Sequence, residues 1–209
     1  NSCAAVLRIL GFELPEPHAL HIPQAVMDLA NKDRGLVLII GPSGSGKTTT
    51  LPCLIEQINQ TRNSHIITIE DPIEFLHAHK KSIVSQREID NDTRGYIPAL
   101  RAALRQAPDV ILIGEMRDYE AISTAVTAAE TGQLIFSTLH TLGASNAIDR
   151  IVDVFPQNQQ YQIRVQLSMV LQAVVSQQLI PSIDGTLVPA FEILLVNSAI
   201  RHMIREAKT

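Results

Sequence analysis

The run Gly41-Pro42-Ser43-Gly44-Ser45-Gly46-Lys47-Thr48 has the residue types and spacing to hold a nucleoside triphosphate. It fits G-x-x-x-x-G-K-[ST], in which the glycines let backbone N–H groups wrap the phosphates. Lys47 can reach the β- and γ-phosphates, and the Thr48 hydroxyl can ligate Mg²⁺. The expected nucleotide-binding set is therefore Gly41, Pro42, Ser43, Gly44, Ser45, Gly46, Lys47, Thr48 and Thr49, with ATP and Mg²⁺ as the implied ligands. A helix opening near Lys47 would point its positive end at the same anion. An ordinary glycine turn is the bland alternative. The apolar run Leu36–Ile40 directly before the loop argues against it, because strand, loop, helix is the context phosphate binding needs.

Such a loop needs an acid for the metal and a group that positions water. Val110-Ile-Leu-Ile-Gly114-Glu115 is an apolar strand ending in an acid, a Walker-B-type pattern. Glu115 is the candidate for polarising the attacking water, directly or through Mg²⁺. A second cluster, Glu70-Asp71-Pro72-Ile73-Glu74, follows the strand-like run Ile66–Ile69. Both clusters can converge on the γ-phosphate if their strands neighbour the first. His140, after the run Leu134–Leu139, can sense the γ-phosphate or hydrogen-bond Glu115, although an isolated histidine is more often a capping or core residue. Arg101 and Arg105 share a helix face and read as solvated charges or as an interface.

Apolar and amphipathic stretches alternate from Gly35 onward. The strand-like runs are Leu36–Ile40, Ile66–Glu70, Val110–Gly114 and Leu134–Leu139, and the helix-like ones are Lys47–Gln60, Ile97–Gln106, Tyr119–Glu130 and Asn158–Val174. This predicts an α/β fold, a mostly parallel sheet with helices on both faces and the ligand at the carboxyl ends of the strands. Gln177–Ile180 and Leu187–Val196 predict a hairpin around Asp184-Gly185. Ser198–Glu206 predicts a last helix capped by Ser198, with Ala199, Ile200, Met203 and Ile204 on one face. Thr131-Gly132 reads as a helix stop. Ala4–Leu10 reads as a strand, Gly11–Pro23 as a linker and Ile22–Asn31 as a helix.

The balance of 17 Lys+Arg against 21 Asp+Glu, a net charge of −4, gives no support to a nucleic-acid partner. Two cysteines, Cys3 and Cys53, make no disulfide framework or metal pair and fit a reducing cytoplasm. No apolar run is long enough for a membrane span, so direct membrane insertion is not expected. The chain starts at Asn1 and is read as a fragment or a processed product.

Four segments in order resemble the secretion ATPase superfamily of type II secretion and type IV pili. They are the phosphate loop, Thr68-Ile-Glu-Asp-Pro-Ile-Glu74 (an aspartate box), Pro108–Asp118 (a Walker B) and Thr131–His140 (a histidine box). Gly114-Glu-Met-Arg-Asp118, Ala128-Ala-Glu-Thr-Gly132, Ile148–Pro156 and Ala199–Glu206 look like the PilT-like pilus-retraction (twitching motility) branch. The assembly and secretion branch usually carries a zinc insertion with two CxxC pairs, and this chain has no CxxC.

The resemblance implies a RecA-like P-loop ATPase domain over 35–209 with C-terminal helices, after a linker and helix at 11–34. Residues 1–10 would be the last strand of a truncated N-terminal PAS-like domain. It further implies a Mg²⁺-dependent ATPase working as a homohexamer, cytoplasmic and peripheral to the inner membrane, on a pilus platform protein. Glu115 would be catalytic and Glu74 and His140 would support it. Arg8 sits where the family directs an arginine at the phosphates; an exposed strand residue is the competing reading. The family's first box histidine is Gln133 here, which keeps hydrogen bonding and loses the titratable charge. Rival readings are an assembly or secretion motor, a ring subunit that binds ATP with little turnover, and a nucleic-acid motor.

Overall fold

Every residue of Gly35–Ile40 (β1) is buried, and its side chains split between two cores. Leu36, Leu38 and Ile40 face one side of the sheet, while Val37 and Ile39 face the other. A strand apolar on both faces must sit inside a sheet that is covered on both sides. The computed structural model, which describes residues 14–208, shows that arrangement. The other strands are β2 (His65–Glu70), β3 (Ile83–Glu88), β4 (Val110–Ile113), β5 (Leu134–Leu139), β6 (Leu171–Pro181) and β7 (Leu187–Leu195). They form one seven-stranded sheet in the order β3-β2-β4-β5-β1-β6-β7. All neighbours pair parallel except β6 and β7, the antiparallel hairpin expected around Asp184-Gly185.

One face is covered by α1 (Gln24–Met27), a 3-10 turn at Asp28–Asn31 and α2 (Lys47–Thr61). The other face carries α3 (Tyr96–Leu104), α4 (Tyr119–Glu130), α5 (Ala144–Asp153), α6 (Gln157–Val170) and α7 (Ser198–Arg205). Ahead of α1 the chain runs across α2, where the Cys53 thiol donates to the carbonyls of Pro15 at 3.4 Å and Thr49 at 3.3 Å. The strand expected at Ala4–Leu10, with Arg8, lies outside the described residues. Among the described residues no helix is long and apolar enough to cross a membrane.

Four of the differences from the sequence reading have a clear physical reason. The helix expected over Asn158–Val174 stops at Val170, because Leu171–Val175 pair with β1 and the ladder outweighs helix propensity. The late strand accordingly starts at Leu171, well before Gln177. β3 went unread because it is an edge strand in which only Val84 is buried. The cap of α7 is Asn197, whose side chain accepts from Ile200 N at 3.0 Å, and Ser198 is the first helical residue. Of the face expected there, Ile204 is buried and Ile200 packs on the core, but Met203 is exposed.

Candidate active site

The chain leaves β1 into the phosphate loop and re-enters helix at Lys47. Gly46 caps α2 with a left-handed φ of 88°, and no side chain caps that end. Thr49 N donates to Gly46 O at 3.0 Å, so it is the N–H groups of Lys47 and Thr48 that are left for an anion. The Lys47 ammonium donates to the carbonyls of Gly41 and Pro42, both at 2.8 Å. Burial pushes its pKa below the usual value, and the nearby Glu115 carboxylate pulls it back up. Ser43 to Thr48 line a cleft of about 420 Å³, with Gly41 and Pro42 behind them holding Lys47. Thr49 is the third residue of the helix, its carbonyl accepting from Cys53.

The opposite wall brings together Glu70, Asp71, Glu74, Tyr96, Glu115, Arg117, Thr138 and His140. The predicted acids therefore do meet the phosphate loop, though not by the expected route. β4 and β2 do not neighbour β1; β5 lies between, and β2 is beyond β4. Adjacent strands are about 4.8 Å apart, so Glu115 reaches across roughly 10 Å of sheet edge. Thr138 of β5 fixes that reach. Its hydroxyl donates to Gly114 O at 2.6 Å, and its carbonyl accepts from Met116 N at 3.3 Å.

Both oxygens of Glu115 have cationic or protonatable neighbours. Arg117 Nε donates to one at 2.6 Å, and His140 Nε2 lies 3.3 Å from the other. The bond to Glu115 raises the Arg117 pKa. Glu115 is only 17% exposed, whereas Arg117 is 66% exposed, so Arg117 can swing into solvent at little cost and free a carboxylate oxygen. Gly114 is closely packed: a Cβ there would lie 2.9 Å from the Tyr96 hydroxyl and 3.3 Å from Ile69 O. Burial, then Asp71, pushes that hydroxyl up to about 12, so it is a donor at every working pH.

Glu70 closes the deep side. Burial raises its pKa, against hydrogen bonds from Thr68 at 2.5 Å and Gln86 at 3.3 Å. The segment after it, with Asp71 and Glu74, is pinned from behind. Glu88 accepts from Ile73 N at 3.0 Å, and Gln86 accepts from His77 N at 2.8 Å. From α2, the buried Asn59 donates to Ala78 O at 2.8 Å and accepts from Lys80 N at 3.1 Å. Glu56 binds Lys80 and lies 3.1 Å from His77 Nδ1. Tyr96, Thr138, Asn59 and Gln86 were missed by sequence reasoning because their partners are remote in the chain.

The cleft offers oxygen donors suited to Mg²⁺, namely the exposed Thr48 hydroxyl and the carboxylates. Among the described residues no group of three or more His, Cys, Asp or Glu forms a metal cage. That fits an ion held by few side chains together with substrate phosphates. Gln133 is at the amino end of β5, opposite the cleft, where Thr131 donates to its side chain at 2.8 Å. Arg101 pairs with Glu120 of α4, and Arg105 follows the end of α3.

The chain is 50% identical over 208 residues to the type IV pilus retractation ATPase PilT of Pseudomonas aeruginosa, matching 100% of this chain and 60% of that protein. It is 50% identical over 206 residues to a twitching motility protein of Neisseria gonorrhoeae, matching 98% of this chain and 55% of that one. A crystal structure of the pilus retraction motor PilT with bound ADP superposes with a TM-score of 0.94 at 55% identity, over 96% of this chain and 59% of that one. The Legionella pneumophila ATPase DotB follows at a TM-score of 0.89 and 29% identity, over 96% of this chain and 58% of that one. The chain thus spans about 60% of the length of these relatives. A model of the type II/IV secretion system protein family matches residues 17–203. That span takes in the whole sheet and every residue that lines the cleft, and the chain belongs to the type II/IV secretion system protein family.

Proposed function

We propose that this chain is the ATP-hydrolysing domain of a type IV pilus retraction motor that works as a homohexamer. The observation that carries the reading is the convergence in one cleft of the phosphate loop, Lys47, Glu115 and the acids after β2. In this reading ATP lies along the loop, with its γ-phosphate toward Glu115 and Glu70. Lys47 exchanges its loop carbonyls for phosphate oxygens. Glu115, once Arg117 turns away, accepts a proton from the water that attacks in line, and His140 steadies the carboxylate. Thr48 and Glu115 would hold Mg²⁺, which would neutralise charge on the phosphates, and Glu74 would support that site. Arg8 is proposed to supply positive charge to the phosphates. The partner is a platform protein at the cytoplasmic side of the inner membrane.

In the full-length protein, Lys47→Ala should abolish MgATP binding. Glu115→Gln should keep binding and lose turnover by about 10²-fold or more. Phosphate release and nucleotide binding read the two effects, and normal turnover by Glu115→Gln removes the catalytic assignment. Direction of force is decided in cells. Deleting the gene should leave excess pili; cells without pili would mark an assembly motor.

A further inference from the structure

Gln177 on β6 is buried, only 3% exposed, and it touches the phosphate loop at both ends. Its main-chain carbonyl oxygen, which any residue here would supply, would stand 2.2 Å from a Cβ on Gly41, the first loop residue. Its side-chain nitrogen would stand 2.7 Å from a Cβ on Gly46, the last before the helix. Its amide oxygen accepts the Thr50 hydroxyl at 2.8 Å, which fixes the amide against the first turn of α2. Both glycines have positive φ, 148° and 88°, so the loop shape that exposes its N–H groups needs glycine there and a floor of matching shape. Gly41 in turn offers the carbonyl that holds Lys47. A polar side chain buried deep in a strand and shaped to the loop has a role beyond filling space.

We propose that Gln177 is a positioning residue for phosphate binding, holding the phosphate loop in its anion-binding shape from beneath. This rests on the ATPase reading and goes further by assigning the loop's support to a strand far away in sequence. Because the contact acts on the loop and not on the base or sugar, its effect must grow with phosphate charge.

The test is nucleotide affinity of the full-length protein, measured with MgADP and MgATP. Gln177→Leu removes the amide and leaves an apolar side chain, and it should weaken MgADP binding about tenfold, the loss of one buried hydrogen bond. Gln177→Glu keeps an acceptor for Thr50 and places an ionisable group under the loop. Its affinity should fall more for MgATP than for MgADP, and further as pH rises and the carboxyl ionises, a profile that a packing defect cannot produce. If Gln177→Leu does not fold, Thr50→Val decides in its place. About threefold weaker MgADP binding supports the proposal, and unchanged binding overturns it. Affinities within twofold of wild type in both Gln177 variants overturn it too, as does a Gln177→Glu loss equal for both nucleotides and flat with pH. Wild-type protein that binds neither nucleotide overturns the ATPase reading itself, a result distinct from failure at Gln177.

Discussion

Glu56 is outside the cleft and still governs how the acidic segment rests against α2. Burial would raise its carboxyl, but hydrogen bonds from Lys80, Gln60, His77 and Asn59 outweigh that and bring it down to about 2, from an ordinary 4.5. A depressed carboxyl stabilises the fold in full above its unfolded value, and that stability drains away as pH falls toward the folded value. Wild-type melting temperature should therefore drop between about pH 4.5 and 2. Glu56→Gln should be less stable at pH 7 and converge on wild type at the acid end. Parallel acid profiles for the two proteins would contradict this. The contrast with Lys47 and Glu115 explains what could be read from sequence. Lys47 is legible because it lies within the loop that binds the phosphates, and Glu115 because an apolar strand ending in an acid is itself a local pattern. Glu56, Asn59 and Gln86 act through partners brought close only by folding.

At the scale of elements, the junction of α6 with β6 shows how local signals fail. No glycine or proline separates Val170 from Leu171, and the amphipathic pattern runs on into the strand. The last turn of α6 is closed from outside: Arg201 of α7 donates to Ser168 O at 2.6 Å and Met169 O at 2.7 Å. Those are terminal carbonyls with no partner inside their own helix. Arg201→Ala should cost about 1–2 kcal/mol in urea unfolding, and Arg201→Lys should recover part of it. A midpoint unchanged from wild type would show that α7 is held by Ile204 and Ile200 alone. α4, by contrast, matched its expected bounds because Asp118, whose side chain accepts from Ala121 N at 2.8 Å, and the Thr131-Gly132 stop punctuate it.

Across the whole molecule, the class of fold was legible and the strand order was not. Alternating apolar and amphipathic runs require a covered parallel sheet. Whether β4 lies beside β1 or one strand away depends on which crossover packs best, and no local residue records that. The order found sends the phosphate loop, Glu115, His140 and the Glu70 segment to one edge of the sheet. Gln133 goes to the other edge, about 20 Å away along β5. Any part it plays in nucleotide chemistry would have to come through a neighbouring subunit of the proposed ring.

The seating of the segment before α1 across α2 also gives the protein an intrinsic chemical clock. Burial, then Glu16, pushes the Cys53 thiol up to about 11, and Pro15 covers its sulfur. With Cys3 replaced by serine, a maleimide at pH 7.5 should react with Cys53 about a hundredfold more slowly than with an exposed cysteine. Reaction at the rate of an exposed thiol would mean that Pro15 does not shield it. The labelling rate then reports the fraction of molecules in which that segment has lifted from α2, the helix that begins at the phosphate loop. The unaltered Cys53 thus makes the opening of that segment readable as a reaction rate.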